Sequence, residues 1–310
     1  MPLLNTNETQ KSIVDEIKNA TDSIQIISAF CKTNTVKSLI DDNIQRNLTS
    51  KKLLVRFRLS DILAGACDID LYEYCKTNGW ELYIRFDLHA KTYVFDKKRC
   101  IVGSSNLTNS GLGIGKEGNA EFSACADIET SDLEKINFLF DHSLKVDDEL
   151  FDIMKAEFEK AKQSLIPDMN ITTKRWSTEI YEKSAPCLDV LFSYSFPQTN
   201  QPVLDDPNSL DFMDCSFPAS MQTIKDCFLS SNCYLWLKKA LSENNNCLYF
   251  GALTEILHNT MFSDPKPYRK EVKEYLANLL SWVNFLKIEE IIIDRPNYSQ
   301  RIALRRDFLE

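Results

Sequence analysis

Apolar and polar positions in the first half of the chain alternate between a helical and a strand rhythm. Ile13, Val14 and Ile17 share one helical face within Glu8–Ala20. The run Ser23–Phe30 reads as a buried strand, Thr33–Asn43 as a helix and Lys52–Leu59 as a second strand. In that strand Leu53, Val55 and Phe57 alternate with Arg56 and Arg58 on the opposite face. Asp68–Asn78 is a helix closed by Gly79, and Glu81–Phe86 a third strand. Leu88–Asp96, Cys100–Val102 and Asn119–Ile128 continue as strands, and Ser131–Asp141 and Asp147–Leu165 as amphipathic helices. This order predicts an α/β layered domain over 1–166.

The rhythm fades over 167–221. Pro167, Pro186, Pro197, Pro202, Pro207 and Pro218 interrupt it, and Asp205, Asp206, Asp211 and Asp214 make it acidic. The expectation is an irregular linker with local packing by Trp176, Tyr181, Phe192 and Phe196. A compact α+β pattern resumes over 222–310. Helices are expected at Ser231–Leu241, Leu253–Asn259 and Pro267–Phe285, with strands at Cys247–Phe250, Ile288–Ile293 and Ser299–Leu304 around a turn at Asp294–Asn297. That order is the order of a winged helix.

Composition narrows the setting. A chain of 310 residues suggests two domains. No apolar run reaches the length of a membrane span, and the polar start, Met1–Lys11, is unlike a signal peptide. Ten cysteines without a Cys-x-x-Cys pair, together with three histidines, argue against a zinc site and suit a reducing, cytoplasmic setting. The net charge of −9 places any nucleic-acid contact on local basic patches.

The chemistry concentrates between Leu88 and Glu121. On a strand, His89 and Lys91 lie on one face, followed by Tyr93 and Phe95, with Val94 on the other. Asp96-Lys97-Lys98-Arg99 fits a tight connection. Gly103-Ser104-Ser105-Asn106 offers small side chains whose backbone N–H groups, at Ser104 and Ser105, can face an anion. Singly, each residue has an ordinary reading: a packed histidine, a solvated lysine, a type I turn aspartate, a loop. Together, an imidazole, an ammonium and a carboxamide converging on one point make a site for a phosphate ester.

The pattern His-x-Lys-x-x-x-x-Asp, then Gly-Ser-x-Asn, then a glutamate resembles the phospholipase D superfamily. His89, Lys91, Asp96, Gly103, Ser104, Asn106 and Glu121 carry it. The resemblance, spanning roughly 8–160, implies a layered α/β domain with a mixed central sheet. It implies His89 as the nucleophile that forms a phospho-histidine, and Lys91 and Asn106 as holders of the phosphate oxygens. Glu121 would orient a histidine ring, and Asp96 would support the site. Relatives usually carry two copies of the motif, the second histidine protonating the leaving group; this chain has one. One imidazole cannot attack phosphorus and also protonate the oxygen departing on the far side. The expectation is a symmetric homodimer with His89 of two chains facing across a two-fold axis. With no carboxylate cluster in the sequence, no metal and no cofactor are expected.

The leading expectation is a nuclease acting on DNA, in the style of phospholipase-D-like restriction endonucleases, with a role in restriction or anti-phage defence. In the C-terminal region, Lys266, Arg269, Lys270 and Lys273 open the long helix, and Arg295, Arg301, Arg305 and Arg306 lie in or beyond the wing. Lys270 and Lys273 are the expected DNA contacts. Glu271, Glu274, Glu289 and Glu290 offset these cations, which leaves dimerisation or a protein partner open for this domain. Two other functions stand beside the nuclease. One is a phosphodiesterase acting on lipid or small diesters, though nothing suggests a membrane anchor. The other is a nucleic-acid-binding protein with a silent nuclease fold.

Overall fold

The computed structural model describes residues 3–115, 118–164, 171, 174–200, 203, 206–215, 217–263, 265–296 and 298–305. Pro167, Pro202, Asp205, Asn297 and Arg306, named above, lie outside them. The chain divides into two compact units, Met1–Ile180 and Tyr181–Glu310.

The first unit is built on β1 (Leu3–Asn5), α1 (Thr6–Asn19), β2 (Ser23–Ser28), β3 (Ser50–Val55), α2 (Leu59–Leu63), α3 (Leu71–Thr77), β4 (Glu81–Ile84), β5 (Lys91–Phe95), β6 (Arg99–Gly103), β7 (Phe122–Asp127), α4 (Thr130–Asp141), β8 (Leu144–Lys145) and α5 (Asp148–Gln163). The helix expected at Thr33–Asn43 forms as three short turns of changing pitch, Thr33–Thr35, Val36–Ile40 and Asp41–Asn43. The eight strands make one sheet in the order β1-β7-β6-β5-β2-β3-β4-β8. Only β2–β3 and β3–β4 pair in parallel, so the sheet is mixed, as expected. All six residues of β2 are buried, which requires cover on both faces of the sheet centre. On one face Phe140, Ile136 and Leu139 of α4 close over Ile27 and Leu54.

Strand polarity decides where the chemistry collects. β2 and β3 end, and β5 begins, at the same edge, because Ser28 pairs with both Val55 and Lys91. Beyond the strands the ladder runs one step further: Ala29 N–H donates to Ala90 O at 3.2 Å and Arg56 N–H to Ala29 O at 3.2 Å. Thr92 pairs with Val102 and Gly103 with Ser123, so the end of β6 and the start of β7 reach that edge too. A Cβ at Gly103 would collide with the Phe122 carbonyl and the Ser123 side chain, so only glycine lets β6 and β7 approach there.

The second unit corrects the expected linker over 167–221. Trp176 belongs to the first unit, where its indole N–H donates to Phe57 O at 2.6 Å, and Ile180 is buried there as well. From Tyr181 onward the stretch is a packed layer of the second unit. Leu191 N–H donates to Thr260 O and Phe262 N–H to Leu191 O. Phe196 is fully buried between Trp236 and Tyr275, and Phe212 meets Trp282 with centroids 5.1 Å apart. The stretch has no period because it is built of short tight turns, Ala185–Asp189, Ser193–Ser195 and Pro207–Met213, the first and last of which bury Cys187, Leu188, Leu210 and Met213.

The rest of that unit is α6 (Met221–Leu229), α7 (Asn232–Ser242), β9 (Cys247–Tyr249), α8 (Phe250–Thr260), α9 (Arg269–Phe285), β10 (Ile291–Asp294) and β11 (Arg301–Leu304). Its sheet is antiparallel in the order β10-β11-β9. From α7 onward, helix, strand, two helices and a hairpin whose last strand pairs with the first is winged-helix topology. The buried side of α9 is Val272, Leu276, Leu279, Leu280 and Val283, leaving Arg269, Lys270 and Lys273 exposed. Glu271 caps the helix by accepting from Tyr268 N–H at 2.7 Å. Arg301 is corrected as a basic contact, because its guanidinium forks onto Asp294, its cross-strand partner.

Phe196→Ala should destabilise the second unit by about 3–5 kcal/mol, the cost of emptying a buried aromatic site. Chemical denaturation followed by tryptophan fluorescence measures it. A cost under about 0.5 kcal/mol, the range of surface substitutions, would restore the linker.

Candidate active site

The site forms at the sheet edge where β5 begins. The strand starts at Lys91, so His89 lies in the extended segment leading into it rather than on the strand itself. His89 is exposed and Lys91 is buried, with 8% of its surface accessible. The Lys91 ammonium donates to His89 O at 2.7 Å and lies 3.3 Å from His89 Nε2. Among the described residues no carboxylate stands within ion-pair distance of it. Burial, and then the nearby Arg56, push the Lys91 pKa below its ordinary value, while Glu121 pulls the other way. The His89 pKa is lowered chiefly by Lys91, then by burial, Arg56 and Arg58. The imidazole is therefore held in its unprotonated, nucleophilic form near neutral pH.

Asn106 comes to the same edge through the loop after β6. Its Oδ1 accepts from Phe30 N–H at 3.1 Å, which fixes the carboxamide and leaves the Nδ2 donors to present outward. A Cβ at Gly111 would stand 2.6 Å from Asn106 O, so this loop also closes tightly against a glycine. Leu107 N–H donates to Ser28 Oγ, and Lys32 N–H to Leu107 O, tying the loop to the end of β2.

Glu121 sits just before β7. Its carboxylate accepts from Ser104 Oγ and, at 3.2 Å, from Asn119 Nδ2, and it is not hydrogen-bonded to His89 of its own chain. One expected substrate contact, Ser104, is corrected here. Ser104 spends its N–H on Phe122 O at 3.0 Å and its hydroxyl on Glu121, so it builds the site and faces no anion. Ser105 is 1% exposed and its carbonyl accepts from Tyr93 OH at 3.0 Å, so its side chain is sealed beneath the site.

Asp96 is also corrected. It lies at the opposite end of β5, roughly 16 Å from Lys91 at about 3.3 Å per residue. Asp96 and Lys97 both have positive φ, 50° and 57°, and Lys98 N–H closes on Phe95 O, so the turn is of the mirror-image hairpin type rather than type I. The Asp96 carboxylate accepts from the backbone N–H groups of Thr21, Asp22 and Ser23 and from Thr21 Oγ1, at 2.7–3.0 Å. It clasps the β5–β6 hairpin to the start of β2.

Sequence reasoning missed Arg56 and Arg58, which it placed on the solvated face of a strand. Both follow the carboxyl end of a parallel strand, where α/β sheets gather ligands, and that position was the available signal. Arg56 forks onto Asp61 at 2.8 and 2.9 Å and lies over the Phe30 ring, 4.7 Å from its centroid. Arg58 donates to Phe86 O at 2.6 Å. His142 bonds Phe138 O through Nδ1 at 2.8 Å and its ring packs on Phe138. Among the described residues no three His, Cys, Asp or Glu side chains converge as a metal site, and all ten cysteines are free thiols. No helix among them is long and apolar enough to cross a membrane.

Asp96→Ala should cost about 2–3 kcal/mol, because several buried or half-buried donors lose a charged acceptor. Burial opposes ionisation of Asp96, but the N–H groups of Asp22, Ser23 and Thr21 outweigh it and hold the carboxyl below its ordinary value. A depressed carboxylate stabilises the fold above its unfolded pKa of about 3.9 and loses that contribution as pH falls through the folded value. The gap between parent and variant in urea unfolding should therefore close in acid. A constant gap from pH 7 to pH 2, or a variant as stable as the parent, would remove the clasp.

The fold of the first unit agrees with the comparisons. Residues 13–130 match the family model described as cardiolipin synthase, PLD-like domain. No curated protein matches the chain. Among solved structures the chain is similar to the phospholipase D family member Nuc from Salmonella typhimurium, at 15% identity over 47% of this chain and 97% of that one, with a TM-score of 0.37. It is similar to NucT from Helicobacter pylori at 14% identity, over 45% and 94% of the two chains, with a TM-score of 0.29. It is also similar to phosphatidylserine synthase from Haemophilus influenzae Rd KW20 at 12% identity, over 98% and 82%, with a TM-score of 0.38. Residues 13–130 thus make up a PLD-like domain, the domain of phospholipase D superfamily phosphodiesterases.

Proposed function

We propose that the protein is a nuclease that cuts DNA through a phospho-histidine on His89, without a metal ion, in a site completed by a second copy of the chain. The observation that carries the chemistry is the exposed His89 against the buried, unpaired Lys91 in the field of Arg56. A neutral imidazole is a nucleophile, and an unpaired buried cation is a seat for the negative charge that develops at phosphorus. In the first step a His89 ring nitrogen bonds phosphorus and the bond to the leaving oxygen breaks. That oxygen takes a proton from His89 of the second copy. Water then attacks the phospho-histidine, gives its proton to the same second imidazole, and frees the first. Lys91 and the Asn106 amide hold the nonbridging oxygens, supplying the charge neutralisation that a metal gives elsewhere. Glu121 is assigned the ring of His89 from the second copy.

Two features support the shared site. Of the three histidines only His89 has a lysine two residues on, so the chain holds one copy of the pattern. Leu3 and Phe122, 70% and 63% exposed, share one face of the sheet with the half-exposed Val102. That uncovered apolar strip runs directly from Gly103 and Glu121, where a second copy would bury it. The DNA substrate is supported by the winged-helix topology, whose long helix opens with exposed Arg269, Lys270 and Lys273. A cleavage domain joined to a reading domain is the layout of a restriction endonuclease, and a defence role follows by that analogy.

Supercoiled plasmid in excess EDTA should be cut by the parent, and His89→Ala should lower the rate by roughly four orders of magnitude or more. Mixed dimers of parent and His89→Ala should be inactive, since each site needs both rings. Activity retained by mixed dimers, or an active monomer in light scattering, would exclude a shared site; an absolute Mg²⁺ requirement would exclude the metal-free route.

Charge reversal at Lys270 and Lys273 together should weaken duplex binding and reduce the salt slope by about two. Filter binding across a salt series, done in a His89→Ala background, reads it. An unchanged slope would move this domain to dimerisation or to a protein partner.

A further inference from the structure

The edge that carries His89 holds a further cation, Arg56, that the phospho-histidine chemistry has not used. Arg56 stands in the row Ala90–Ala29–Arg56, joined by backbone hydrogen bonds one step beyond the strand ends. Its guanidinium is fixed twice, by the fork onto Asp61 and by the face of Phe30. Phe30 is also the residue whose N–H holds the Asn106 carboxamide. One short segment after β2 thus sets the position of a cation and of a neutral donor together. The fork uses the Nε hydrogen and one on Nη2, which leaves three N–H groups along the remaining edges of the guanidinium.

An ion pair serving only to pin α2 to the sheet would gain nothing from this location. Placed here, Arg56 works against the charge on Lys91 and against protonation of His89. Such crowding of cations costs stability in the empty site, and a bound dianion or diester reverses the cost. Arg58 is less suited, because its Nε–H is spent on Phe86 O.

We propose that Arg56 is a phosphate-binding residue of the His89 site, donating to a nonbridging oxygen of the substrate's diester beside Lys91 and Asn106. The assignment rests on the phosphodiesterase reading of the site and is independent of whether the diester belongs to DNA. A planar fork suits an oxygen pair on phosphorus better than a point charge does.

The test uses the full chain with Arg56→Gln and Arg56→Lys. Inorganic phosphate binding by calorimetry should weaken about tenfold in Arg56→Gln, the loss of one charge-assisted contact. Arg56→Lys, a charge without the fork, should lose about threefold. In the free protein, the His89 ring titration followed by NMR should move upward in Arg56→Gln and stay in Arg56→Lys, which a merely structural tie would not produce. With bis(p-nitrophenyl) phosphate, KM should rise with the loss of phosphate affinity while kcat stays within about threefold. Unchanged phosphate affinity in folded Arg56→Gln overturns the proposal, as does a His89 titration that does not move. Should Arg56→Gln fail to fold, phosphate affinity in Arg56→Lys equal to the parent's overturns it. A parent that hydrolyses bis(p-nitrophenyl) phosphate but neither binds nor cuts DNA would sink the nuclease reading and leave Arg56 judged by phosphate alone.

Discussion

A buried lysine without a carboxylate is the constraint from which the rest of this active site follows. Taking an ammonium out of water is costly unless a counter-charge meets it. Lys91 gets only the His89 carbonyl and ring, with Glu121 acting at longer range. The fold therefore leaves the neutralisation of Lys91 to whatever anion enters. The same ammonium opposes protonation of His89, so in the proposed mechanism one residue would both prepare the nucleophile and receive the phosphate. A carboxylate close enough to quiet Lys91 would serve stability and defeat both roles.

Strand polarity makes this arrangement affordable in structural terms. The parallel pair β2–β3 and the antiparallel β5 bring a strand start and two strand ends to one edge. Loops that leave that edge then contribute Phe30, Arg56, His89 and Asn106 from segments distant in sequence. The opposite edge carries the mechanical counterpart. There Asp96 gathers three backbone donors and locks the β5–β6 hairpin, whose register fixes where Lys91 stands relative to Ser28.

Much of this was legible in the sequence, for identifiable reasons. The strands of the first unit announced themselves because alternation and buried runs are local signals, and the pair His89 and Lys91 is two residues apart. Asp96 misled because closeness along a strand was taken for closeness in space, although five residues carry it to the far edge. Ser104 misled because a small-residue loop says nothing about which N–H groups the sheet has already claimed. Arg56 stayed hidden because its neighbours are set by long-range pairing of β2 with β3 and β5. The stretch after Tyr181 read as a linker because its apolar groups come singly from short turns, and only the packed aromatic layer around Phe196 and Phe212 gives them meaning. The winged-helix order was visible, since each helix and strand there has an unbroken period, while the Asp294–Arg301 pair that removes one cation from its surface was not.

The single copy of the motif gives the architecture its last logical step. Cleavage through a phospho-histidine needs a neutral ring on one side of phosphorus and a protonated ring on the other. Within one chain the local field drives His89 toward the neutral state alone, because Lys91, Arg56 and Arg58 all oppose its protonation. A second His89 brought across a two-fold axis begins with the same bias. The symmetry must therefore be broken by the substrate: a bound diester lowers the local positive potential, and one ring of the two can then take up a proton while the other stays neutral. In the proposed dimer the crowding of cations would act as a gate. The empty site would hold both rings unprotonated, and the acid needed for leaving-group departure would form only once a phosphate is in place.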